Sequence, residues 1–277
     1  MSQTQQIIIT GLPRSGTSYL CILLHLLKNS IAINEPREMF KRLNQQAIPW
    51  AVKDLYTQLE QDILTGKPIE NKLHQDQLVE DTVNAGKHAL YQPHIENKKI
   101  LLATKNTLGY LARLEQLHQV LPQALIIACI RHPADTIASW KTSFAHLKNA
   151  TVEDFVVGSL HDPFISTWQH EHLQTIADEP NQAKRRALLW SYLAEILYKN
   201  RHILLLLKYE HTVCQPQDTL ETIWQTLGNK LPLSFQNNSP TASHIRQKRS
   251  VLNEEDWQAI NLYCKKTAAY FAYDKLD

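Results

Sequence analysis

The stretch IIITGLPRSGTSYL, residues 7–20, decides how the rest of the chain is read. An apolar run leads into Gly11 and Gly16, then Thr17, Ser18 and a second apolar run. This is the frame G-x-x-x-x-G-x-[ST] of a phosphate-binding loop set between a strand and a helix. Its glycines permit backbone torsions and close approaches that a side chain would block. The amide hydrogens of such a loop, with the start of the following helix, cradle an anion. Arg14 adds a cation, and Thr17 and Ser18 add hydroxyl donors. In nucleotide hydrolases a lysine occupies the place of Thr17 and reaches the β and γ phosphates, while the Ser/Thr hydroxyl holds magnesium. With Thr17 there, the loop suits a shorter anion, a single phosphate and its substituent.

Four further apolar runs, at 31–33, 100–103, 124–130 and 203–207, share the continuous character of the first at 7–10. Continuous rather than alternating runs are the mark of strands covered on both faces. Helical patterns separate them, at 17–27, 108–120, 133–144, 182–198 and 219–227, with another closing the chain at 254–271. Strands alternating with helices predict an α/β fold, a central parallel sheet of about five strands flanked by helices, of the P-loop nucleotide-binding type. No linker divides the chain, so 1–277 reads as a single domain with two insertions. The one near 40–98 is polar and expected to be helical; the one near 145–180 is rich in histidine and tryptophan. Insertions of this kind often cover the open edge of a site.

Bulk properties narrow the class. The 277 residues carry 29 basic and 27 acidic side chains, a net of +2, which argues against a nucleic-acid or membrane-surface binder. Four scattered cysteines form no C-x-x-C pair; Cys21 and Cys129 sit in apolar runs as small core residues, and free thiols suit a reducing compartment. The N-terminus lacks the pattern of a signal peptide, and the longest apolar runs fall well short of the roughly 20 residues that span a bilayer. A cytoplasmic protein without a transmembrane segment is the expectation. HEHLQ near residue 170 is not a metalloprotease motif, because its last position is Gln174. The tryptophans at 140, 190, 224 and 257 lie in helical patterns and are assigned to packing.

In open parallel sheets ligands bind beyond the carboxyl ends of the strands. Each strand here delivers a charged or phosphate-binding group to that rim. They are the Gly11–Gly16 loop, then Glu35 and Glu38 after the second strand, Lys105 after the third, Arg131 after the fourth and Lys208-Tyr209-Glu210 after the fifth. Arg131 leaves its strand just before Pro133 opens a helix that also carries Ser139, a guanidinium and a hydroxyl that make a second anion site. No apolar strand ends in an aspartate suited to magnesium.

These residues resemble the sulfotransferases that use 3′-phosphoadenosine 5′-phosphosulfate (PAPS) and release 3′-phosphoadenosine 5′-phosphate (PAP). GLPRSGTS is similar to that family's 5′-phosphosulfate loop, and RHPADTIAS to its 3′-phosphate motif R-x-P-x-D-x-x-x-S. LLLLKYEHTVCQP resembles the segment after the last central strand, with His211-Thr212 as a departure. The resemblance implies that Pro13, Arg14, Ser15, Gly16, Thr17 and Ser18 hold the 5′-phosphosulfate, that Arg131 and Ser139 hold the 3′-phosphate, and that Tyr209 lies near the nucleotide. It implies no metal. A basic loop of such enzymes closes over the 3′-phosphate, and Arg246, Lys248 and Arg249 are its counterparts here. Lys105 occupies the place of a lysine that meets the bridging oxygen or the sulfuryl group, where it would neutralise charge on the leaving phosphate.

The base distinguishes branches of the family. Some carry histidine on the third strand's loop; tyrosylprotein and many carbohydrate enzymes carry glutamate after the second. Here the third loop reads TKNT and the second NEPREMF, so the chain looks like the glutamate branch, with Glu35 favoured and Glu38 as runner-up. The acceptor, a carbohydrate, phenol, lipid or peptide, is not specified by any motif. A P-loop small-molecule kinase and a non-catalytic nucleotide-binding protein are the competing readings. Thr17 and the Arg131–Ser139 element speak against the kinase.

Overall fold

The five apolar runs form one parallel sheet whose strand order differs from chain order. The computed structural model describes residues 4–74, 77–78, 87–228, 234–235, 240–245 and 248–276. In chain order its strands are β1 (Gln5–Gly11), β2 (Ser30–Asn34), β3 (Ile69–His74), β4 (Gln77–Leu78), β5 (Lys87–Tyr91), β6 (Leu101–Lys105), β7 (Leu125–Ile130) and β8 (Leu204–Lys208). The central sheet runs β2-β6-β1-β7-β8, all parallel, with Asn34 beside Lys105, Ile9 beside Lys105, and Gly11 beside Cys129. Glu35 and the Gly11–Gly16 loop therefore emerge on either side of Lys105, and Arg131 on the far side of the loop.

Period-two alternation sorts the strand side chains into two cores. Ile7 and Ile9 of β1 face one way, with Leu20, Leu23 and Leu24 of the Thr17–His25 helix and Leu220 and Ile223 of the Pro216–Thr226 helix. Ile8 faces the other way, with Ile137 and Trp140 of the Pro133–Lys141 helix and Leu189, Trp190 and Leu193 of the Gln182–Lys199 helix. Covering both faces is what the continuous apolar runs required.

The structure corrects three sequence expectations. The 40–98 segment is helical only at first, over Arg37–Leu43 and Trp50–Leu64; the remainder forms a small antiparallel sheet, β4-β3-β5. Its anchor is Asn71, fully buried, whose amide donates to the carbonyl of Ala32 and accepts from the amide of Asn34, at 2.8 Å each. Edge strand β2 is thus covered rather than left open. The expected helix at 108–120 is two, Thr107–Leu111 and Leu114–Val120. Arg113, between them, turns its guanidinium inward onto both Asp162 carboxylate oxygens at 2.6 Å, with both groups buried. The closing helix is interrupted by a π turn at Ile260–Cys264. Cys21, Cys129 and Cys264 are buried and Cys214 is exposed. Among the described residues no helix is long and apolar enough to cross a membrane.

Candidate active site

The loop after β1 is pinned from three directions. Leu12 N–H donates to the Cys129 carbonyl at 3.0 Å, Ser15 Oγ donates to the carbonyls of Leu12 and Cys129, and Trp140 Nε1 donates to the Pro13 carbonyl at 2.8 Å. Gly11 has φ 137° and a Cβ there would fall 2.1 Å from the Cys129 carbonyl oxygen; Gly16 has φ 89° and its Cβ would fall 2.7 Å from the Tyr209 ring. Both positions therefore exclude a side chain on torsion and on space. Gly16 caps the Thr17–His25 helix without contributing a side-chain acceptor, so the positive end of that helix faces the cavity beside Thr17 and Ser18.

Beyond β7, Arg131 is buried with its guanidinium 4.3 Å over the Tyr209 ring, and Nη1 donates to the Arg14 carbonyl at 3.3 Å. Burial works against its charge, while Tyr209, Asp135 and Glu210 favour it. Arg14 Nε reaches Ser139 Oγ at 3.3 Å. The two anion-binding elements read from the sequence are therefore in contact. Asp135, on the same helix as Ser139, takes a two-pronged grip from Arg249, Nε to Oδ1 at 2.9 Å and Nη2 to Oδ2 at 3.0 Å. Lys248 lines the cavity and Arg249 tethers the segment that carries it. Arg246 lies outside the described residues.

On the other side of the loop, Glu35 sits between two ammonium groups. Lys105 Nζ is 2.8 Å from Oε1 and Lys72 Nζ 3.2 Å from Oε2. Lys105 is only 2% exposed, so it is no solvated strand-end lysine. Glu35 has φ 51°, a left-handed torsion unusual for glutamate, and its N–H donates to the Lys105 carbonyl at 2.9 Å. Strain of this kind persists where the surroundings over-determine it, often at functional positions. Pro36 follows and opens the next helix.

These groups line one cavity of about 580 Å³, a size that holds drug-sized ligands. The cavity thus joins the glycine-bearing loop after β1, a buried arginine and a lysine–glutamate pair. The model of the Sulfotransferase family matches residues 6–232. The chain belongs to the sulfotransferase family. Among solved structures, a sulfotransferase from Alicyclobacillus acidocaldarius is similar with a TM-score of 0.50 at 13% identity, over 96% of this chain and 93% of that one. Sulfotransferase STF1 from Mycobacterium tuberculosis H37Rv gives 0.41 at 16% identity, over 97% and 76%. STF9 from Mycobacterium avium gives 0.45 at 11%, over 98% and 76%. No curated protein sequence matches.

Within this sulfotransferase most of the sequence-derived site residues meet at the cavity: Pro13, Arg14, Gly16, Thr17, Ser18, Glu35, Lys105, Arg131, Ser139, Tyr209 and Lys248 all line it. Three described residues do not contribute a side chain as expected: Ser15, Glu38 and Arg249, whose guanidinium is committed to Asp135 and does not line the cavity. Ser15 is fully buried and spends its hydroxyl on the loop's own carbonyls, so it shapes the loop. Glu38 is half-exposed outside the cavity, 3.5 Å from both Lys41 and Arg42, because it falls on the outer side of the Arg37–Leu43 helix. Sequence reasoning missed Lys72, which reaches Glu35 from β3. It also missed Phe40, Phe144, His146 and Phe155, which give the cavity an aromatic wall. Among the described residues no group of three or more His, Cys, Asp or Glu side chains could hold a metal ion.

Proposed function

We propose that this sulfotransferase moves a sulfuryl group from PAPS to an acceptor hydroxyl or amine, with Glu35 as general base. The observation that carries the reading is the contact between two cation–hydroxyl elements, Arg14 with Thr17 and Ser18, and Arg131 with Ser139, one strand away from the Glu35–Lys105 pair. A donor with one phosphate on the 5′ side and another on the ribose needs two anion sites a short distance apart, and these residues fit it. Thr17 leaves the loop without the lysine that serves a triphosphate.

The loop amides, Arg14, Thr17 and Ser18 hold the 5′-phosphosulfate; Arg131, Ser139 and Lys248 hold the 3′-phosphate; Tyr209 packs beside the nucleotide. The donor supplies the sulfuryl group. Glu35 takes the proton as the acceptor oxygen or nitrogen forms its bond to sulfur, and the bond from sulfur to the bridging oxygen breaks with its electron pair on the leaving phosphate. Lys105 neutralises that charge, and alignment by the fixed rim supplies the rest. Glu35 is preferred to Glu38 because only its carboxylate faces the cavity. The whole chain then acts as one catalytic domain, with both insertions walling the acceptor side, and its free cysteines suit the reducing conditions of a cytoplasm.

The test is thermal unfolding without magnesium, in which PAP raises the melting point more than ATP does. A larger shift from ATP with magnesium would transfer the chain to the kinase reading. Sulfur-35 transfer by wild type and by Glu35→Gln then separates catalysis from simple nucleotide binding.

A further inference from the structure

We propose that the acceptor is a compact, apolar, ring-bearing molecule whose hydroxyl is of the phenol type, seated against Phe144, His146 and Phe155. The proposal rests on the donor and base readings above. The cavity that holds Glu35 also has apolar and aromatic lining. Phe40, Leu108, Phe144, Leu147, Phe155 and Val157 supply that lining. Phe144 and His146 stack with centroids 5.7 Å apart and planes 15° from parallel, and Phe155 meets His146 edge-on at 6.2 Å and 87°. Such a surface offers ring faces and edges to another ring.

The same stretch also puts Thr142, Ser143, His146 and Asp154 on the cavity, and the two hydroxyls are already engaged. Ser143 Oγ donates to the Ser139 carbonyl at 2.6 Å, and Thr142 Oγ1 to the same carbonyl at 3.2 Å. His146 and Asp154 remain among the wall's lining residues. A sugar entering here would bury several hydroxyls against apolar side chains, each costing about 1–3 kcal/mol when unsatisfied. An apolar ring system incurs no such cost. Burial holds His146 below its ordinary titration range, with Asp154 and Glu35 opposing. The imidazole thus stacks as a neutral ring, within electrostatic reach of the Glu35 carboxylate.

The wall is built, not draped. Asn44 Nδ2 holds the Val156 carbonyl at 2.9 Å, and the Gly158 N–H donates to Asp162 at 2.7 Å, the carboxylate that Arg113 grips. Val156 itself lines the cavity yet is 65% exposed, which gives the mouth an apolar lip. The base agrees. A phenol loses its proton near pH ~10, as tyrosine does, whereas an alkyl alcohol stays near water's value of about 16. Transfer to a carboxylate is far less uphill from the phenol.

The test uses the full chain with saturating PAPS and three acceptors: 2-naphthol, 1-dodecanol and methyl glucoside. The expected result is a kcat/KM for 2-naphthol roughly 100-fold above either of the others, the scale of discrimination an apolar pocket reaches. Preference for the glucoside or the dodecanol overturns the proposal, and so does absence of transfer to all three in protein whose melting point still rises with PAP. Absence of the PAP shift sinks the donor reading first and this proposal with it. Val156→Asp, at an exposed position that tolerates charge, is expected to raise KM for 2-naphthol about tenfold, with the PAP shift retained. Phe155→Leu should raise it severalfold. KM values within twofold of wild type in both variants would show that the acceptor does not sit on this wall.

Discussion

Replacing Glu35 with glutamine separates chemistry from architecture at the site. The substitution is isosteric, and the left-handed torsion at φ 51° burdens glutamine as it burdens glutamate. The amide oxygen can keep the 2.8 Å bond from Lys105 Nζ, so the buried ammonium retains an acceptor. The amide NH2 replaces the oxygen that Lys72 Nζ meets at 3.2 Å, setting donor against donor. Lys72 is partly exposed and can turn to water, but buried Lys105 keeps its bond and loses its counter-charge, so the stability loss should be about 2–3 kcal/mol. Against a total of roughly 5–15 kcal/mol the protein stays folded.

The rate should respond far more. A positioned general base contributes about 10²–10⁴-fold, or about 3–5 kcal/mol at 1.36 kcal/mol per tenfold. Unfolding cannot mimic that loss, because a destabilisation of this size leaves nearly all molecules native. The assay is single-turnover sulfur-35 transfer at saturating donor, beside PAP-induced thermal shifts on the same preparations. The expected outcome is a 10²-fold or greater fall in rate with the PAP shift preserved. A rate within threefold of wild type would remove Glu35 from the chemistry. Glu38→Gln serves as comparison: exposed pairs contribute up to about 1 kcal/mol, so its rate should stay within twofold.

Other perturbations test the supports of the site. Arg249→Ala strips the two-pronged grip from buried Asp135 and should cost about 2–4 kcal/mol, less than a fully buried pair because Arg249 is partly exposed; it should also weaken PAP binding in isothermal titration by freeing the segment that bears Lys248. Asp162→Ala leaves Arg113 buried without its carboxylate and should lower unfolding free energy by about 3–5 kcal/mol in urea titrations, whereas an unchanged midpoint would deny the pair any structural part. Gly16→Ala forces a Cβ toward the Tyr209 ring at a torsion suited to glycine, so PAP should no longer shift the melting point even where the variant folds. His132 accepts from the Ala134 N–H through Nδ1, its Nε2 lies 2.8 Å from the Lys275 carbonyl, and burial depresses its titration. Its contribution is therefore complete above its ordinary value of 6.5 and is lost as pH falls below that, through the folded-state value. Melting points should drop between neutral pH and pH 5, and His132→Asn, which can cap the same helix without titrating, should flatten that slope.

What the sequence disclosed follows from two periodicities and one rule. Short continuous apolar runs alternating with helical patterns fit strands covered on both faces, so all five central strands were legible within a few residues, and whatever follows each strand lies on the rim. That is why Arg14, Glu35, Lys105, Arg131 and Tyr209 could be placed in one site before any contact was known. The unreadable parts depend on contacts between segments with no periodic signal. Lys72 reaches Glu35 only because the polar run IENKLH pairs as a strand and docks through Asn71, and one buried asparagine leaves no pattern in a helix-prone segment. The break at Arg113 is set by Asp162, 49 residues away. Glu35 and Glu38 both follow β2, and the sequence left them as alternatives. The difference is the start of a helix at Arg37, which turns Glu38 outward while the strained residue at the strand end keeps its carboxylate on the rim. The rim residues are fixed by strands and the apolar wall by insertions, so the acceptor can change by loop variation while the transfer chemistry stays in place.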